Sequence, residues 1–98
     1  AYASSKGALN TMTKSMARNL GPIRVNAICP GFIQGEWLRK GMGDELYNAA
    51  KDNLTSSTPL KLTVTPEQVA IGIYNFIEIS TVVTGETMLM DGGHHLII

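Results

Sequence analysis

Apolar residues recur at Leu9, Met12, Met16 and Leu20, a spacing that lines one stripe of a helix repeating about every 3.6 residues. Tyr2 falls in line with that stripe and Lys6 lies at its edge. The pattern predicts a helix from Tyr2 to Leu20 with one face to bury. Gly21-Pro22 stops it, because glycine tolerates a left-handed cap and proline cannot extend a helix. Ile23 to Cys29 follows, rich in β-branched and small apolar residues and closed by Pro30-Gly31, which predicts a strand running into a turn. Ala27, Ile28 and Cys29 are apolar in succession, so the second half of that strand is expected to be buried on both faces, as in a parallel sheet covered by helices. The short Gly21-Pro22 link is the tight helix-to-strand connection of an α/β fold.

From Phe32 to Leu62 the periodicity weakens. Gly35, Gly41, Gly43, Ser56, Ser57 and Pro59 interrupt it, and only Gly43 to Leu54 reads as a helix, with Leu46, Ala49, Ala50 and Leu54 as a weak apolar face. A stretch of about thirty residues with little structure of its own implies a functional loop or lid. Trp37 and Leu38 are its apolar anchors, and Trp37 is expected to serve as a packing residue. Thr65-Pro66-Glu67-Gln68 is a capping box with proline at the first helical position. It opens a second helix that runs to about Glu78, with Val69, Ala70, Ile73, Phe76 and Ile77 on its apolar face. Thr84-Gly85 turns the chain into a short strand, Glu86 to Met90, which Asp91-Gly92-Gly93 ends.

Composition narrows the classes. The 98 residues suit one domain at most, and 44% hydrophobic with 16% charged residues is the balance of a globular chain. Eight basic and eight acidic residues cancel, with no run of like charge, which argues against a nucleic-acid partner. No stretch approaches about 18 consecutive apolar residues, and no basic segment precedes an apolar one at the start, so neither a membrane span nor secretion is expected. The single cysteine, Cys29, excludes an internal disulfide and fits a reducing compartment, so a cytoplasmic location is expected.

The candidate chemistry lies at the start. Residues four apart on a helix share a face about 5–6 Å apart, so Tyr2 and Lys6 can address one small volume. An ammonium beside a phenol favours its ionised form, and that pairing is a candidate proton-transfer site. Elsewhere the residues point to structure. Adjacent His94 and His95 on an extended chain diverge and have no ligand set around them beyond Asp91, so no metal is expected. Cys29 in a strand reads as a small buried hydrophobe, Asn26 as a group that satisfies backbone near the site, and Asp44 and Glu45 as complements to a helix dipole.

Five stretches in fixed order give the chain a resemblance. Tyr2-x-x-x-Lys6 with Gly7-Ala8-Leu9, then Ile23-Arg24-Val25-Asn26 leading to Pro30-Gly31-Phe32-Ile33, then Thr58-Pro59-Leu60, then Pro66-Glu67-x-Val69-Ala70, then Thr84-Gly85-Glu86 running to Asp91-Gly92-Gly93 together resemble the C-terminal part of a short-chain dehydrogenase/reductase. The resemblance covers nearly the whole chain. It implies an α/β fold, the C-terminal part of a doubly wound Rossmann-like parallel sheet, as helix, strand, lid, helix and strand, binding NAD or NADP at the carboxyl ends of its strands. It further implies an oxidoreductase interconverting a carbonyl and an alcohol by hydride transfer. Tyr2 would be the acid/base and, with Lys6, part of the cofactor-binding set; Lys6 would hold the nicotinamide ribose and lower the pKa of Tyr2. Pro30, Gly31, Phe32 and Ile33 would line the nicotinamide, and residues 35–62 would form the variable substrate lid.

Two departures stand out. Gly35 occupies a position where the family commonly has a cofactor-contacting threonine. The family's glycine-rich phosphate loop, adenosine-ribose selector, central asparagine and catalytic serine all precede the tyrosine motif, and only Ala1 precedes Tyr2 here. The 98 residues alone are therefore expected to be inactive, with an apolar sheet edge and apolar helix surface exposed. Members of the family commonly pair through the first helix and through the last helix and strand, so a homo-oligomer, dimer or tetramer, is expected. The competing reading is a non-catalytic oligomerisation module derived from this family.

Overall fold

Eighteen residues, Tyr2–Asn19, form the first helix, α1, and its backbone ladder closes on Leu20, whose N–H donates to Met16 O at 2.8 Å. The computed structural model describes residues 1–98. The chain then forms β1 (Ala27–Pro30), α2 (Glu36–Met42), α3 (Asp44–Ser57), α4 (Pro66–Tyr74), which continues as a π-helical turn over Asn75–Ile79, and β2 (Thr87–Met90), and it ends in a 3-10 turn at His94–Leu96. No helix is long and apolar enough to cross a membrane.

The strands pair in parallel, Ala27 with Thr87 through Pro30 with Met90. β1 is shorter than the strand expected from Ile23. Val25 N–H donates to Thr84 Oγ1 at 3.0 Å rather than to a backbone carbonyl. Asn26 spans the gap with its side chain, Nδ2 donating to Val83 O and Oδ1 accepting from Glu86 N–H, each at 3.0 Å. The Thr84 hydroxyl and the Asn26 amide thus take over part of the ladder where the strands diverge, beside the backbone bonds from Gly85 N–H to Val25 O and from Ala27 N–H to Glu86 O, which is the backbone-satisfying role expected of Asn26. The expectation of burial on both faces does not hold, since every residue from Ala27 to Pro30 is half-buried.

Helix α1 runs antiparallel to the strands. A Cβ at Gly85, just before β2, would lie 3.4 Å from Ala17 Cβ, and near the other end of β1 Cys29 Sγ stands 3.6 Å from Asn10 Oδ1. Cys29 is half-buried, not the fully buried hydrophobe expected. The apolar stripe of α1 is open: Leu9, Met12, Met16 and Leu20 are 38–49% exposed, while Thr13 is its buried residue.

Helix α4 opens as the sequence requires, with Thr65 Oγ1 accepting from Gln68 N–H at 3.2 Å and Gln68 Oε1 accepting from Thr65 N–H at 2.9 Å. Its packing face differs from the one expected. Gly72 is the buried residue, and a Cβ there would run into Met90 Sδ and stand 3.5 Å from Ile28 Cδ1. Ile73 and Ile77 are exposed. The absence of a side chain at Gly72 is what lets the helix reach the sheet. Arg24 then ties the far end, its guanidinium donating to the carbonyls of Phe76, Ile77 and Ser80, which belong among the acceptors a helix end leaves unpaired. Arg24→Met is expected to lower stability by about 1–2 kcal/mol, because bonds from a charged donor are lost while the carbonyls can partly rehydrate. The urea midpoint of the variant checks this.

The region after Phe32 is more regular than its glycines suggest. Two helices occupy it, not one, with Gly43 between them at φ 85°, a left-handed conformation that ends α2 and starts α3. Gly41 is carried inside α2. The anchor of this unit is Tyr47, 2% exposed, whose ring packs on Phe32 at 5.3 Å and whose Oη accepts from Gly35 N–H at 3.0 Å. The expected anchor, Trp37, is 85% exposed.

Candidate functional site

Tyr2 and Lys6 occupy the first turns of α1, and the predicted face-sharing is present: Lys6 Nζ lies 5.5 Å from the centroid of the Tyr2 ring. Tyr2 is 75% exposed, and its hydroxyl bonds to no other residue of the chain. Ser5 Oγ donates to Tyr2 O at 2.7 Å and steadies the turn. Asn10 stands beside Cys29, and the helix from Asn10 back to Tyr2 extends about 12 Å further at about 1.5 Å per residue. The antiparallel course of α1 directs that extension past the carboxyl ends of β1 and β2, where residues 30–33 lie. That edge is where open α/β sheets bind ligands.

Residues 30–33 are clamped from two sides. Gly31 N–H donates to Met90 O at 3.0 Å, Val64 N–H donates to Phe32 O at 3.0 Å, and Gln34 N–H donates to Val64 O at 2.8 Å, making a parallel bridge between Ile33 and Val64. In an extended chain alternate residues aim their polar groups to opposite sides. Phe32 and Gln34 are spent on Val64, so the N–H and C=O of Ile33 face the other way, and neither bonds to another residue of the chain. They form a donor and an acceptor side by side at the sheet edge, complementary to a primary carboxamide.

Behind this stretch stands Asp91. A Cβ on Gly31 would lie 2.8 Å from Asp91 Cβ and 3.0 Å from Asp91 Cα, so the glycine is required by close approach. The Asp91 carboxylate accepts from Gly93 N–H, from His95 N–H and from His95 Nδ1, all at 2.9 Å. The tail is therefore not extended. Its 3-10 turn brings His95 back onto Asp91, an i,i+4 pairing visible in the sequence but missed under the assumption of a straight tail. Burial pushes the Asp91 carboxyl upward, and the His95 side-chain and backbone hydrogen bonds, with that from Gly93, outweigh it, leaving the group below the usual carboxylate value. A depressed carboxylate stabilises the fold above its ordinary value of about 3.9 and loses that contribution as pH falls through the folded value. The stability gap between the wild type and Asp91→Asn is thus expected to be full at neutral pH and to narrow below about pH 4, read from urea midpoints along a pH series.

A groove of about 590 Å³ borders the same stretch, lined among others by Phe32, Ile33, Trp37, Leu38 and Pro66. The sequence reading missed Tyr47, which holds this wall, and Thr63 and Val64, which flank residues 32–34. Gln34 Nε2 donates to Thr63 Oγ1 at 2.8 Å. The β-branched run Thr63-Val64-Thr65 was the available signal, but its pairing is a single bridge and leaves no strand pattern.

Comparison with known proteins bears on the family and the fold. The family description Enoyl-(Acyl carrier protein) reductase matches residues 1–95. Dihydromonapterin reductase of Citrobacter koseri is 36% identical over 97 residues, covering 98% of this chain and 37% of that protein. The chain thus spans little more than a third of the length of such relatives. Among solved structures, a small-chain dehydrogenase in complex with NADPH aligns with a TM-score of 0.83 at 33% identity, over 92% of this chain and 40% of the other. A short chain dehydrogenase family protein from Francisella tularensis aligns with a TM-score of 0.85 at 29% identity, over 97% of this chain and 43% of the other. The family match spans nearly the whole chain, and the chain belongs to the short-chain dehydrogenase/reductase family.

Proposed function

We propose that these residues are the proton-transfer and nicotinamide-facing portion of an NAD(P)-dependent oxidoreductase that interconverts a carbonyl and an alcohol. The observation that carries the reading is the direction of α1, which extends Tyr2 and Lys6 toward the sheet edge where Ile33 holds its free N–H and C=O. When bound there, NAD or NADP supplies or accepts the hydride. Ile33 offers its donor and acceptor to the carboxamide, which fixes the ring face. Pro30, Gly31 and Phe32 form the wall beside it, and the Gly31 contact with Asp91 keeps that wall in place. The Tyr2 hydroxyl gives its proton to the carbonyl oxygen during reduction and takes it back during oxidation. Lys6, one helical turn away, stabilises the phenolate left behind and would hold the nicotinamide ribose. Residues 35–62 shape the substrate side.

The exposed apolar stripe of α1 and the exposed Ile73 and Ile77 favour a homo-oligomer. They also motivate the second reading, a family-derived assembly module without chemistry. The test is a spectrophotometric assay of the full polypeptide containing these residues, with NADH and NADPH over a panel of ketones and with NAD+ and NADP+ over a panel of alcohols, beside its native mass. Cofactor-dependent turnover is expected. An oligomer that neither binds nor oxidises either cofactor overturns the enzyme reading and leaves the assembly module.

A further inference from the structure

Exposed tryptophans are costly, since an indole forgoes the large apolar area it could bury. Trp37, at 85% exposed, nevertheless projects from the best-anchored part of the chain. It is the second residue of α2, whose N-cap Gly35 donates its N–H to the buried Tyr47 hydroxyl at 3.0 Å. Tyr47 is itself fixed between the Phe32 ring at 5.3 Å and the Arg39 guanidinium 4.5 Å from its centroid. The indole is held out rather than left loose.

What it borders is the groove of about 590 Å³ that also touches Phe32 and Ile33, a volume within the usual range for small-molecule sites of about 300–1,000 Å³. Glu36 is the one charged residue lining it, and its carboxylate lies 3.6 Å from Arg39 Nε. No cationic residue lines the groove, so nothing in it recruits an anionic substrate, and Glu36 is engaged with Arg39. Gln34 also lines the groove, with its amide turned to Thr63 Oγ1 at 2.8 Å; the rest is largely apolar, and of its two rings Phe32 is packed on Tyr47 while Trp37 stands free. We infer that Trp37 is the substrate's stacking platform, so that the groove takes a neutral carbonyl compound with a flat, apolar ring body. The inference rests on the oxidoreductase reading for the placement of the carbonyl near Ile33. A ring lying along Trp37 and Leu38 would leave the carbonyl pointing toward the nicotinamide edge.

Trp37 is the only tryptophan of these 98 residues, and the emission of Trp37→Phe subtracted from that of the wild type isolates its signal in the full polypeptide. The experiment uses the full polypeptide with two probes, α-tetralone and a straight-chain methyl ketone of the same carbon count. Saturable quenching of Trp37 emission by α-tetralone is expected, beyond that of N-acetyltryptophanamide, with little from the linear ketone. In turnover, Trp37→Ala is expected to cut the kcat/KM preference for α-tetralone over the linear ketone by about tenfold, through KM. Trp37→Phe is expected to restore most of it, as a ring retained at the position keeps most of a stacking contact. An unchanged preference in Trp37→Ala overturns the inference while leaving the enzyme reading intact. So does a variant that alters native mass and not selectivity, since Trp37 would then be a subunit contact. A saturable quench without turnover of either ketone supports ring binding at Trp37 and leaves the enzyme reading to the wider panel. Absence of both the quench and the turnover overturns the inference.

Discussion

Tyr2→Phe is expected to reduce carbonyl turnover by about 10²–10⁴-fold, the usual contribution of a positioned acid/base, with the fold unchanged. The separation of the two effects follows from position. The Tyr2 side chain is 75% exposed and its hydroxyl has no partner in the chain, so removing it leaves no buried group unpaired, and a surface change of this kind stays within about 0.5 kcal/mol. Cofactor affinity should hold, because Lys6 and the Ile33 amide are untouched. The measurement is kcat and the cofactor dissociation constant of the same preparation, beside its urea midpoint. A fall in kcat with the other two unchanged places the proton at Tyr2. Equal turnover in the variant removes Tyr2 from the mechanism, whereas a lost midpoint would mean that the ring holds the helix end.

Gly31→Ala carries the largest expected cost in stability. The added methyl meets Asp91 Cβ at 2.8 Å and Asp91 Cα at 3.0 Å, and neither atom can swing aside as the end of a flexible side chain could. Relief requires β1 and the Asp91 turn to part, which strains the Gly31 N–H bond to Met90 O and the three donors converging on the Asp91 carboxylate. A loss of about 3 kcal/mol is expected, at the upper end for overpacking because the obstruction includes backbone. Gly41→Ala gives the opposite sign: nothing lies within 4 Å of that position inside α2, and alanine there should add about 0.5–1 kcal/mol. Urea midpoints of the pair separate a glycine required by contact from one merely tolerated. Because Gly31 is two residues from Ile33, the same variant should also weaken NAD(P)H binding, read by cofactor fluorescence.

Much of this was legible in the residues themselves, because the signals were local. The boundaries of α1 and the start of α4 follow from Pro22, the Thr65–Gln68 box and a continuous apolar period, and each depends on groups within one or two turns. The Tyr2–Lys6 juxtaposition is likewise a property of a single helix. Motif order carried the family and, with it, the α/β architecture. What the sequence could not decide was set by partners far along the chain. The early start expected for β1 failed because Thr84 and Asn26 side chains replace ladder bonds there. Helix α2 escaped notice because Gly35, Gly41 and Gly43 weigh against it locally, while Tyr47, from the next helix, holds its first turn. Trp37 and Tyr47 exchanged the roles that their sizes suggest, since burial depends on which side of a helix meets Phe32. The tail folded back because Asp91 offers His95 a carboxylate that an extended chain would leave to water. Propensity and periodicity therefore marked the elements whose signals are local. Only tertiary structure decided which residues close against one another, because those contacts depend on where distant segments meet, and a local pattern holds no record of that.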